Sequence, residues 1–184
     1  GARERLARAD ADVRVRACEA LSRAGDPSAV SELFGLIGDA DARVSQAAAA
    51  AIQSLGSRET KQLALEQARS KDARTRRAAL RIISYFGYPE GLEVLVEALE
   101  DEDEKLREAA IYGLPLVDDP KGTAALLATA KHESPRTRGA VMRALGQTST
   151  EAAVVAELRA GLSDEDGWVR YYACQSLGKL RVDA

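Results

Sequence analysis

At 184 residues, with 46% apolar and 30% charged side chains and few aromatics, the chain reads as a folded, soluble polypeptide rather than a disordered one. Its 26 basic and 29 acidic side chains leave a net charge of −3, which gives no overall pull toward nucleic acid or an acidic membrane. The longest apolar stretch, around Ala47 to Ile52, is too short and Ala-rich to span a bilayer, and no signal-like apolar segment opens the chain, so a cytoplasmic location is expected.

Asp10 with Val13-Arg14 opens the first of six matching helices. The pattern returns as Asp41 with Val44-Ser45, Asp72 with Thr75-Arg76, Asp103 with Leu106-Arg107, Ser134 with Thr137-Arg138 and Asp166 with Val169-Arg170, at intervals of 31, 31, 31, 31 and 32 residues. A constant period of this length means one supersecondary unit stacked on copies of itself, none able to bury its apolar face alone. Each Asp or Ser stands where an N-cap oxygen accepts the free N–H groups of a first turn, and Pro135 takes the first helical position. Small or apolar residues follow the Arg at three, four, six and seven positions, from Ala17, Cys18, Ala20 and Leu21 down to Ala173, Cys174, Ser176 and Leu177. That is helical periodicity, not strand alternation.

Between these helices a second set of start signals appears at Asp26, Ser57, Asp119 and Thr150, with Pro27, Pro89 and Pro120 close behind. The companion helices show one apolar face in Val30, Leu33, Leu36 and Ile37, in Leu92, Leu95, Ala98 and Leu99, and in Val155, Leu158, Gly161 and Leu162. Weaker versions occupy 58–69 and 120–131. Gly25, Gly56 and Gly87 stand at helix ends, and Pro115 inside the fourth recurring helix is expected to kink it.

The segment from Asp72 to Gly87, and likewise those from Asp10 to Gly25 and Asp166 to Leu180, resembles the HEAT repeats of the short bacterial and archaeal kind, also called phycobilin-lyase-type. The resemblance covers essentially the whole chain. It implies an all-α fold, a right-handed α-solenoid of about six HEAT-like helix pairs, as a single domain over 1–184. Because the chain opens and closes inside repeats, it could be a piece of a longer one. Cys18 and Cys174 fall at equivalent positions of the first and last repeats, roughly five layers of about 10 Å apart, too far to pair.

Taking about 100° per residue, the recurring Arg lies at the border of the buried side in the first turn, where a cation opposes the helix dipole. It needs a partner, and the resemblance suggests an Asp of the adjoining repeat. What remains is an open face, which the resemblance places on the concave side. It is basic with interleaved aromatics: Arg43, Arg74, Arg77, Arg81, Tyr85, Lys105, Tyr112, Arg136, Arg143, Trp168, Tyr171 and Tyr172. Tyr, Trp and Arg in a groove are the residue types of interface hot spots. The compensating acids lie mostly in turns, as in the run from Glu100 to Glu104, and they leave open whether the stripe binds a partner or is an internally paired, solvated face. The Trp168, Tyr171 and Tyr172 cluster in the last repeat is expected to be covered by further sequence, a partner or a second copy.

Catalytic chemistry is not expected. His132 is the only histidine, whereas resemblance to the HEAT-like deoxyhypusine hydroxylases would require several His-Glu pairs to hold two irons. No cysteine cluster, nucleophile with a base, or Gly-rich phosphate loop occurs, so neither a metal nor another cofactor is expected. The expected function is a non-enzymatic protein–protein interaction scaffold or adaptor that uses the concave face, taking an acidic or extended protein segment. Two alternatives come from the resemblance. A phycobilin-lyase-like subunit would hold a bilin near Tyr85, Arg81 and Tyr112, and a nucleic-acid-binding HEAT-like protein would use Arg81, Arg143, Trp168 and Tyr171.

Overall fold

A computed structural model describes residues 1–7 and 10–181, and among them every regular element is helical. The fold comprises two compact units, Gly1–Tyr88 and Pro89–Ala184. In the first, α1 (Ala2–Arg5) precedes α2 (Ala11–Ala24), α3 (Val30–Phe34), α4 (Ala42–Leu55), α5 (Thr60–Gln67) and α6 (Ala73–Phe86). The long helices stack as α2 on α4 on α6, with α3 against α4 and α5 against α6. In the second unit, α7 (Leu92–Glu97), α8 (Glu104–Val117), α9 (Pro120–Thr129), α10 (Pro135–Leu145), α11 (Ala152–Gly161) and α12 (Gly167–Lys179) repeat the plan. There α8, α10 and α12 stack, and α7, α9 and α11 pack behind them.

All six recurring cap residues act as such. Side-chain oxygens of Asp10, Asp41, Asp72, Asp103, Ser134 and Asp166 accept from backbone N–H groups two or three residues on, at 2.8–3.4 Å. Each such cap is worth about 1 kcal/mol to its helix. At the far ends of α2 and α6, Gly25 (φ 68°) and Gly87 (φ 62°) take the left-handed conformation that reverses the chain, which glycine adopts without a Cβ penalty.

The buried register is the expected one. Ala17, Ala48, Ala79, Ala110, Val141 and Ala173, three positions after the Arg slot, are buried. So are Leu21, Ile52, Ile83, Leu114, Leu145 and Leu177, seven after. Burying each of these large side chains contributes roughly 1.5–3 kcal/mol, while the small ones let the helices approach. At four positions after, burial holds through Cys18, Leu80, Ile111 and Met142, but Cys174 in α12 is exposed; both cysteines are free thiols.

The companion helices depart from expectation. Asp26 and Pro89 introduce 3-10 turns, Pro27–Ala29 and Pro89–Gly91, so that α3 has five residues and α7 six. Thr150 caps nothing: the N-cap of α11 is Glu151, without a side-chain bond. Ser57 stands two residues ahead of the cap position, where its hydroxyl accepts from Glu59 N–H. Sequence signals for short helices are weak because one misplaced cap shifts the whole element. Pro115 stands inside α8, which continues to Val117 and ends at Asp118 in the left-handed region, φ 54°.

Candidate protein-binding face

The recurring Arg is scaffold, held in a way the sequence does not reveal. Arg107 Nη1 donates to the carbonyls of Asp101 and Glu102, Arg138 to those of His132 and Glu133, and Arg170 to those of Asp164 and Glu165, at 2.7–3.1 Å. Arg76 does the same with Ser70 and Lys71. Each guanidinium thus buckles the turn before its own helix. The carboxylate partner is an Asp of the next repeat, as expected, but it is the one two residues ahead of the cap. Arg14 makes a two-pronged contact with Asp39 at 3.0 Å, and Arg138 with Asp164 at 2.9 Å. Both pairs are largely buried, and the hydrogen bond from Arg138 holds the Asp164 carboxyl below its ordinary pKa. At the equivalent place opposite Arg107 the chain has His132, and Arg107 Nε is buried without an acceptor.

The open face is as exposed as the helical angles require. Arg43, Arg74, Lys105, Arg136 and Trp168, two before the Arg slot, are all exposed, and so are Arg81 and Arg143, five after. Tyr85 is 60% exposed and Trp168 67%, against Tyr112 and Tyr172, which are half-buried. Arg77 is half-buried on α6 and Tyr171 is exposed on α12.

The structure divides this stripe by charge state. Arg43 is neutralised by Asp12 and Asp41, each at 2.8 Å, and Arg74 reaches Asp72 at 3.5 Å. Arg136 is clamped between Glu104 and Glu108. Arg77, Arg81, Lys105 and Arg143 have no carboxylate within 4 Å among the described residues. On α6, Arg77 and Arg81 stand one turn apart, a like-charge spacing that costs a helix a few tenths of a kcal/mol.

In the second unit the aromatic members converge. Trp168 meets Tyr171 edge-on at 5.8 Å and stacks with Tyr172 at 6.1 Å, and Tyr171 lies 5.3 Å from Tyr172. The Arg143 guanidinium lies over two rings, 5.4 Å from the centre of Tyr112 and 5.9 Å from that of Tyr172. Burial raises the pKa of the Tyr112 phenol above its usual value. Beside these rings α8, α10 and α12 enclose a groove of about 510 Å³, lined by Tyr112, Trp168 and Tyr172 together with Glu108, Ser134, Pro135, Arg136, Gly139, Ala140 and Asp166. A hollow of about 620 Å³ in the first unit, lined by Gly1, Glu4, Arg5, Val13 and Arg16, holds no aromatic side chain.

Sequence reasoning left out Glu108, Pro135 and Gly139. Gly139 follows Arg138 directly, at an open-face position where α6 has Arg77 and α12 has Tyr171. A Cβ there would sit 3.5 Å from the Tyr172 ring. Gly139 is buried, and its lack of a side chain lets the Tyr172 ring of α12 lie against α10 beside the groove.

A family model of HEAT repeats matches residues 1–81, 62–130 and 123–184, the whole chain. The chain belongs to the HEAT-repeat family. No curated protein matches it in sequence. Among solved structures, this HEAT-repeat chain is similar to the complex of CpcE and CpcF of phycocyanin lyase from Nostoc, at 22% identity and TM-score 0.73, covering 82% of this chain and 99% of that one. The Escherichia coli protein YibA matches at 22% identity and TM-score 0.73, over 91% of this chain and 63% of its own. A designed armadillo repeat protein in complex with the peptide (KR)4 matches at 15% identity and TM-score 0.58, over 97% and 98%. At these identities the likeness is one of fold: an α-solenoid of helix pairs, a build suited to protein interaction. Among the described residues no helix is long and apolar enough to cross a membrane.

Proposed function

We propose that this HEAT-repeat chain is a non-enzymatic protein-interaction scaffold whose contact surface is the open face of the recurring helices. The observation that carries the reading is the division of charge on that face. Among the described residues Arg77, Arg81 and Arg143 have no carboxylate within 4 Å although the chain holds more acids than bases, and aromatic rings are exposed on the same face. A solvated cation without a carboxylate partner stays open to an incoming anion, and a partner that supplies one gains electrostatic complementarity at this face. The designed armadillo protein of similar fold, seen in complex with the peptide (KR)4, supports a peptide segment as the kind of partner.

The test is selection from a randomised peptide display library against the wild-type chain and an Arg81→Gln, Tyr112→Ser double variant. Enrichment by the wild type, and loss of those binders by a variant with unchanged circular dichroism and melting temperature, is the expected result. Equal enrichment by both would move the contact surface off the open face.

A second reading has one observation in its favour. The groove in the second unit carries three aromatic rings, which suit a flat conjugated chromophore, with the Arg143 guanidinium beside them for a carboxylate at its edge, and a phycocyanin lyase complex shares the fold. A change in visible absorbance when a bilin is added to the pure chain would establish this reading, and an unchanged spectrum would leave the scaffold.

A further inference from the structure

The occupant of the groove between α8, α10 and α12 can be narrowed from its chemistry, an inference that rests on the open-face reading above. We infer that this groove takes an extended peptide segment that seats an apolar or aromatic side chain against Tyr112, Trp168 and Tyr172 and sets an acidic side chain on Arg143.

Charge decides the polarity of the occupant. Arg136, the cation lining the groove, already has Glu104 and Glu108 as partners, so that end offers no free positive charge. Glu108 and Asp166 oppose an anion placed inside the groove itself, and the rings that line it favour an apolar side chain there. Arg143 differs. It is exposed and its partners are the faces of Tyr112 and Tyr172, which hold a guanidinium in place without cancelling its charge. Tyr112 is neutral near pH 7, since burial raises its pKa further, so no phenolate competes for that cation. Arg143 is thus an immobilised and unneutralised donor beside an aromatic floor, a preorganised arrangement that spares a ligand the cost of ordering it.

Spacing agrees. Alternate residues of an extended segment point to the same side about 6.8 Å apart, comparable with the 5.4 and 5.9 Å between Arg143 and the two ring centres. Neighbouring same-side residues can therefore reach the ring floor and the guanidinium together.

The reporter is built in, because Trp168 is the only tryptophan of the chain. The full chain is titrated at low ionic strength with an eight-residue peptide alternating aspartate and leucine, and Trp168 fluorescence is followed. A saturable change is expected. Peptides alternating lysine with leucine, or aspartate with serine, should bind at least about tenfold more weakly. Arg143→Gln should weaken the aspartate–leucine peptide by about tenfold at unchanged melting temperature, and Arg143→Lys should recover part of the loss. Equal or tighter binding of the lysine–leucine peptide would overturn the inference. So would an Arg143→Gln variant that binds as well as wild type, the absence of saturation with the aspartate–leucine peptide, or a concentration-dependent self-association that alone changes Trp168 fluorescence. Should that peptide fail while display selection still yields open-face binders, the scaffold reading stands and only this assignment falls.

Discussion

At the scale of the residue, the recurring arginines look alike in sequence and differ in energy. Arg138 makes two carbonyl contacts and a two-pronged, largely buried pair with Asp164, whereas Arg107 has the carbonyls but the chain carries His132 at the position equivalent to Asp164, and its Nε is unsatisfied. Arg138→Met should lower stability by roughly 2–3 kcal/mol, because it leaves Asp164 charged and half-stripped of water, and Arg107→Met should cost distinctly less. Thermal melting of the two variants checks the order; at this chain length about 1 kcal/mol moves the midpoint by 2–4 °C. The pH dependence has a definite sign. The Asp164 carboxyl is held below its unfolded value by Arg138, so its contribution is fully present above about pH 4 and is lost as pH falls through the lower, folded-state value. The acid-side loss of stability should therefore be shallower in Arg138→Met than in wild type.

Thr137 is the other residue-scale case. It occupies the slot filled by Val13, Val44 and Val169 elsewhere, is completely buried, and its hydroxyl has no partner. The hydroxyl of Thr75, in the same slot, donates to Asp72 at 2.8 Å. Thr137→Val should raise stability by about 1 kcal/mol, seen as a higher melting temperature, while Thr75→Val should not.

At the scale of the element, the stacking of α10 on α12 depends on close approach. Gly146, just past the end of α10, lies where a Cβ would meet the side chain and backbone of Ser176, the nearest atom only 2.3 Å away. Ser176 Oγ in turn donates to the Met142 carbonyl at 2.8 Å. Gly146→Ala should cost roughly 1–3 kcal/mol by forcing the two helices apart. Hydrogen exchange should show the loss first in α10 and α12, since a repeat packs mainly on its neighbours.

At the scale of the whole molecule, 184 residues are organised so that the period assigns scaffold and frees a face. The six caps, the alanine and leucine layers and the exposed stripe were legible in the sequence because each depends on local or periodic information. An Asp at a helix start needs only its own next two or three N–H groups, and a 3.6-residue period sorts inside from outside wherever it runs. The same logic explains the misses: the 3-10 turns lead into companion helices of only one or two turns, too short for a period to average out one ambiguous residue, and Thr150 falls one residue short of the cap position of α11, which Glu151 takes.

Tertiary structure alone decided the charge of the stripe and the existence of the groove. Arg43 and Arg136 are neutralised by Asp12 and Glu104, residues 31 and 32 positions away, and Arg138 is tied to Asp164 across 26. Arg77, Arg81 and Arg143 carry the same side chain in neighbouring registers and find no carboxylate within 4 Å among the described residues. Which cation is held in a direct ion pair depends on where the next repeat sets its acids, to within an ångström or two, because the charge-assisted hydrogen bond needs donor and acceptor about 3 Å apart. The amino-acid pattern therefore determined which side of each helix faces out, while the packing of one repeat on the next determined what that side can bind.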